Sequence, residues 1–197
     1  MELMIVFAII VTISGVVLSS QSTFNKTLVL SNTAYDIALS LRSAETYGIS
    51  SRVSGATANA GYGVHVEAAT LSSFIFFADT SPGASCTRPD CRPGDYAFSS
   101  GLDTTVQTYA LGNGIRVGDF CVYNGSWICS RNGDLPSLDI VFERPNPDAY
   151  IHAGSTLYSK ACLTIRSPQG GFRFISISSS GQIIANAASN PSSCHEL

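Results

Sequence analysis

The chain has 197 residues, 45% of them hydrophobic and only 13% charged, with a formal net charge of −3. That length fits one ordinary domain plus something extra, and with no Lys/Arg cluster anywhere there is no electrostatic footprint for nucleic acid. Apolar residues crowd the start, while the chain beyond about residue 50 is rich in Ser, Gly, Asn and Thr; this suits an exposed β domain on an apolar anchor better than a cytosolic enzyme.

The first segment reads "MELMIVFAIIVTISGVVLSSQSTF". Residues 3–18 carry no charge, and only Thr12, Ser14 and Gly15 interrupt the Leu/Ile/Val/Phe/Met/Ala run. Glu2 stands at its border. A carboxylate buried there unpaired costs several kcal/mol, so it must stay wet, find a cation or lose its charge. A secretory signal peptide would carry positive charge ahead of the run, and here an acid precedes it. As a transmembrane helix, residues 3–18 reach about 24 Å at about 1.5 Å per residue, short of a hydrocarbon core of about 30 Å. Extension through uncharged residues to Phe24 makes a span feasible.

Beyond Phe24, Leu30, Ala34, Ile37, Leu41, Ala44 and Gly48 recur at alternating spacings of four and three, one face of a helix. Lys26, Asp36, Arg42 and Glu45 lie off that stripe, no Pro interrupts residues 1–81, and Gly48 reads as a C-cap. The pattern predicts one helix of roughly 45 residues, about 68 Å long. It is apolar all round over residues 1–24 and amphipathic over 25–48. Its first part cannot be buried by its own small domain and needs lipid or other copies.

"ISSRVSGATANAGYG" (49–63) reads as a small-residue linker, and residues 49–197 as a β domain bearing disulfides. "YGVHVEA" alternates, with Val64 and Val66 on one face and His65 and Glu67 on the other, and "SSFIFFAD" is a more buried strand. The Gly/Pro/Cys stretch 79–101 is too long for a simple turn. Strand patterns resume at "TTVQTYAL", at "GIRVGDFCVYNGSWICS" with a hairpin at Asn124-Gly125, and at "SLDIVFE", "ACLTIRS" and "GGFRFISISSSGQIIAN". The expected class is α+β: a long N-terminal helix packed on a mostly antiparallel β domain.

Six cysteines, at 86, 91, 121, 129, 162 and 194, all follow the apolar run, and none forms a CxxC. An even count in such a domain points to disulfides and an oxidising compartment, with connectivity left open by sequence. With an Asn124-Gly125-Ser126 loop, Cys121 lies directly opposite Cys129, a placement that suits a disulfide; a two-residue loop makes them diagonal. Cys86–Cys91 and Cys162–Cys194 then follow mainly by elimination.

The opening "MELMIVFAIIVTISGVVL" resembles the mature N-terminus of type IV pilins and type II secretion pseudopilins. "YDIALSLRSAETYGISSR" (35–52), "FERPNPDAYI" (142–151) and "SGQIIAN" (180–186) resemble the H-type minor pseudopilin domain. In that family one glutamate, usually fifth from a processed N-terminus, pairs with the terminal amine of a neighbouring subunit; Glu2 matches it, three residues earlier than the pattern. The resemblance implies a pilin-like fold and a cell-surface filament subunit, held in the cytoplasmic membrane before assembly. Its partners would be copies of itself and the assembly machinery of a pilus or secretion system. It also implies that helicity is lost on assembly near Ser14 and Gly15, in residues 13–22. A minor pseudopilin of a secretion pseudopilus is the alternative. A DNA- or surface-binding minor pilin is another, disfavoured because the tail "NAASNPSSCHEL" has no basic residue.

No chemistry of catalysis stands out: there is no P-loop and no HExxH, and "GNGIRVG" (112–118) lacks dinucleotide-fingerprint spacing. His65, His152 and His195 are scattered and read as solvated side chains. Tyr123 and Trp127 flank the hairpin tip, as an adhesive surface or as sheet-face aromatics. Asn25-Lys26-Thr27 and Asn124-Gly125-Ser126 match the glycosylation sequon. The reading is a non-enzyme with no cofactor and no metal.

Overall fold

A computed structural model of the chain describes residues 2–50, 52–55, 57, 59–81 and 94–187. Helix α1 spans Glu2–Ile49. The stripe at spacings of four and three becomes its docking face, with Leu30, Ala34, Ile37, Leu41 and Ala44 all buried in the core. Each large aliphatic side chain on that face contributes about 1.5–3 kcal/mol relative to exposure.

Among the described residues eleven strands follow. β1 (Gly61–Glu67), β2 (Ser73–Asp79), β3 (Thr104–Ala110), β6 (Ser137–Phe142), β7 (Ala149–Ala153) and β8 (Thr156–Tyr158) form a six-stranded sheet ordered β3-β2-β1-β6-β7-β8. β4 (Arg116–Tyr123), β5 (Trp127–Cys129), β9 (Lys160–Arg166), β10 (Phe172–Ser178) and β11 (Ile183–Ala187) form a five-stranded sheet ordered β11-β10-β9-β4-β5. A 3-10 turn at Ser130–Asn132 ends on Gly133 in the left-handed region. The inner faces meet through Val64, Ile140 and Ile151 from one sheet and Phe120, Leu163 and Ile165 from the other. Helix α1 touches β1 and β6 of the first sheet and β9, β10 and β11 of the second.

This architecture corrects the α+β, pilin-like class expected from the sequence. The described residues form a β-rich fold, eleven strands in two sheets with every paired neighbour antiparallel, and α1 and the 3-10 turn are its helical elements. The physical reason lies in the second layer. Helix α1 does not back a single sheet; the two sheets pack on each other and the helix contacts both.

The C-cap reading of Gly48 is also corrected. The helix runs past it to Ile49, and Gly48 has no left-handed φ. A Cβ there would lie 2.2 Å from the Phe142 carbonyl oxygen. Glycine is present because the helix backbone lies directly on β6.

Candidate functional site

The two halves of α1 differ sharply. Leu30 and Leu41 are fully buried, whereas every described residue from 3 to 17 is exposed, Met4 at 80% and Val16 at 71%. Nothing among the described residues covers this apolar rod. Within it, Thr12 Oγ1 donates to the carbonyls of Ala8 and Ile9, each at 2.9 Å, so this polar side chain is satisfied without water. Gly15 has nothing within 4 Å of an added Cβ, so no contact among the described residues requires glycine there. Ser14 and Gly15 lie within an unbroken helix in the single chain. The side chain of Glu2 lies outside the described residues. Among the described residues, no helix is long and apolar enough to cross a membrane.

Exposed apolar residues continue along the docked half. Tyr35 and Leu39 are exposed, and a groove of about 300 Å³ runs between Thr33, Asp36 and Leu39 of the helix and Phe74, Tyr109 and Leu111 of the first sheet.

Cys121 and Cys129 face each other across β4 and β5 and form a disulfide. The turn between them is the three-residue Asn124-Gly125-Ser126 loop, with Gly125 at φ 83°. Cys162 is also disulfide-bonded, to a partner outside the described residues. Cys86, Cys91 and Cys194 lie outside them as well. Tyr123 and Trp127 pack with ring centroids 5.2 Å apart, and Trp127 lies against Cys162 and Phe174, on the outer face of the second sheet.

The histidines are not gathered. His65 is buried, its Nδ1 2.7 Å from Asp139 Oδ1, which corrects the solvated reading. His152 Nδ1 is buried without a hydrogen-bond partner, and His195 lies outside the described residues. Among the described residues, the grouping able to offer three metal-ligand atoms is Asp119, Cys121 and Cys129. Both of its sulfurs are committed to the disulfide, so it offers no thiolate.

His65 is buried because residues 94–103 lie across the outer face of the first sheet. The Phe98 ring sits 4.8 Å from His65 and 5.1 Å from Phe77, and Tyr96 stacks on Tyr150 at 4.0 Å. Three buried carboxylates hold this strap by its backbone. Asp79 accepts from the amides of Asp95 (3.3 Å) and Tyr96 (2.7 Å). Asp103 accepts from Thr80, Ser81 and Ser99 at 2.8, 2.8 and 2.6 Å, and Asp139 accepts from Phe98 at 3.1 Å. Burial, reinforced by the neighbouring Asp103, pushes the Asp79 carboxyl up to about 8. The sequence reading gave none of these carboxylates a role, although alternation in "SLDIVFE" turns Asp139 outward. One signal was available: Asp79 ends the apolar run of "SFIFFAD", and an acid buried beside such a run needs hydrogen-bond partners.

Comparison with known proteins gives no match: no family model, curated protein or solved structure matches the chain. The resemblance to pilins and pseudopilins therefore rests on the quoted segments alone.

Proposed function

We propose that this chain is a structural subunit of an extracellular filament, whose copies associate through the first half of α1 while the β domain forms the outer surface. The observation that carries this reading is the division of one continuous helix. Residues 3–17 expose apolar side chains, and Leu30, Ala34, Ile37, Leu41 and Ala44 are buried in the chain's own core. Apolar surface left in water costs about 25 cal/mol per Å², and a contiguous patch this large marks an interaction surface.

A second copy of the same rod is a cover of matching length and chemistry. Before assembly the same segment would hold the chain at the cytoplasmic membrane. The Cys121–Cys129 bridge supports a β domain exposed to an oxidising compartment. In this reading Glu2 is neutralised by the terminal amine of an adjacent copy as the helices bundle.

The test is competition. Wild type and Glu2→Gln are co-expressed, filaments are isolated, and mass spectrometry gives the ratio of the two forms in filament and membrane fractions. Depletion of the variant from filaments, with its disulfides intact in the membrane, is the expected result. Equal incorporation would sink the ion-pair role.

A further inference from the structure

We propose that Cys129, Cys121 and Cys162 form a thiol–disulfide exchange site, in which a thiol released at Cys162 by a small-molecule thiol displaces Cys129 from Cys121. This goes beyond the filament reading above and does not depend on it.

The register of the second sheet carries the inference. Cys121 of β4 is the direct partner of Cys129 on β5 and also of Cys162 on β9. Directly opposed residues share a face, so the three cysteines make one row across three neighbouring strands, with Cys121 in the middle. The bulge of β4 lies between Val117 and Asp119 and leaves this row regular. The next member of the row is Ser176, so within the sheet Cys121 alone offers Cys162 a sulfur.

Opposed residues on antiparallel strands alternate between close and wide pairs. The Cα separation of 4.0 Å marks Cys121–Cys129 as a close pair. Cys121–Cys162 is then the hydrogen-bonded kind, with Cα atoms about 5.5 Å apart, inside the span of about 4.4–6.8 Å that a disulfide bridges. Cys129 and Cys162 stand two strand spacings apart, roughly 10 Å, too far to be joined. Cys121 is therefore the shared member of two alternative bonds.

The row also sets the direction of attack. Displacement at a disulfide sulfur runs with the entering, central and leaving sulfurs in line, and Cys162 approaches Cys121 from the side opposite Cys129. Cys162 is itself disulfide-bonded, and Cys121 and Cys129 hold each other, so its partner is Cys86, Cys91 or Cys194. Its own sulfur is buried under Trp127, so a small thiol attacks the partner's sulfur instead. That attack joins the small thiol to the partner and releases Cys162 as a thiolate. The thiolate bonds Cys121 Sγ, the Cys121–Cys129 bond breaks, and Cys129 leaves with the electron pair and takes a proton from water. The Asp119 carboxylate, within 4.8 Å of both sulfurs of the resting bridge, favours that protonation. No oxidant is consumed. β4 stays bridged, and the bond moves from the edge strand β5 to the interior strand β9.

The test uses the full chain in detergent micelles carrying Cys86→Ser, Cys91→Ser and Cys194→Ser, which leaves these three cysteines alone. Thiols are trapped with N-ethylmaleimide, and non-reducing peptide mapping follows chymotrypsin, which cuts at Tyr123 and Trp127 and so separates Cys121 from Cys129. Two forms are expected: Cys121–Cys129 with Cys162 alkylated, and Cys121–Cys162 with Cys129 alkylated. The second should make up at least about one chain in ten, and Cys121 should never be the alkylated residue. Alkylation confined to Cys162, or a Cys129–Cys162 bridge, would overturn the proposal. Wild type treated with limiting glutathione gives an independent reading that needs no substitution. Alkylated Cys129 should appear together with the Cys121–Cys162 peptide; alkylated Cys162 beside an intact Cys121–Cys129 bridge throughout the reduction would refute the exchange.

Discussion

Replacing Gly48 by alanine tests how the helix is seated. An ideal Cβ at this position lies 2.2 Å from the Phe142 oxygen, 2.7 Å from the Phe142 carbonyl carbon and 3.3 Å from the Glu143 nitrogen. All three are backbone atoms, and Phe142 belongs to a strand paired on both sides, with β1 and with β7. None can swing aside as a side chain would. Relief requires the last turn of α1 to lift by about 1 Å, loosening Leu41 and Ala44 in the core. Overpacking of this kind costs about 1–3 kcal/mol, and the contact with fixed backbone argues for the upper end. Alanine returns about 1 kcal/mol of helix propensity, which leaves a net loss of about 2 kcal/mol. Urea unfolding of the micelle-solubilised chain, followed through Trp127 fluorescence, reads this directly. With a slope of about 2 kcal/mol per M, the midpoint should fall by about 1 M. A midpoint that rises would mean that the helix end is not pressed on β6, and the reasoning would be wrong.

Removing the hairpin bridge with Cys121→Ser and Cys129→Ser opens a loop whose ends are 8 residues apart; the chain-entropy model puts the loss at about 2.5 kcal/mol. Calorimetry should show melting lowered by roughly 5–10 °C, and an unchanged melting point would show that the bridge adds nothing to stability. Asp79 gives a pH prediction whose sign follows from its carboxyl standing at about 8 in the folded chain, above its ordinary value of 3.8. Its stabilising proton is fully bound below the unfolded value and is lost as pH rises through the folded one, so stability should decline between about pH 4 and pH 8. Urea titrations across that window should find the slope reduced in Asp79→Asn; an identical slope in the variant would assign the dependence to other groups.

Local periodicity carried much of the chain. The spacing of Leu30, Ala34, Ile37, Leu41 and Ala44 identifies the buried stripe of α1 because a helix presents those positions on one face. Period-two alternation likewise puts Val64 and Val66 inward. The hairpin brought Cys121 opposite Cys129 because only a few residues separate them. The division into two sheets was not legible, since strand partners are chosen across long separations. Gly63 pairs with Val141, and Cys121 with Cys162, and nothing in a strand's own pattern names its neighbour. That is where the expected fold class failed.

The strap was hidden for a related reason. Alternation correctly turns His65 and Asp139 away from the inner face, but the outer face is covered by residues 94–103, whose Gly/Ser/aromatic sequence has no period to announce a layer. Gly48 looked like a stop signal because glycine serves both helix ends and close backbone approaches. Only the position of Phe142 distinguishes the two.

The central claim is that residues 3–17 of α1 are covered by the same residues of other copies. The most direct measurement is electron cryo-microscopy of filaments isolated from the cells that make the chain, with mass spectrometry of their main component. We expect this chain in the filament, with the first halves of α1 bundled at interaxial distances of about 8–10 Å and the β domains outside. Filaments that lack the chain, or that hold it with residues 3–17 facing solvent or lipid, would contradict the claim.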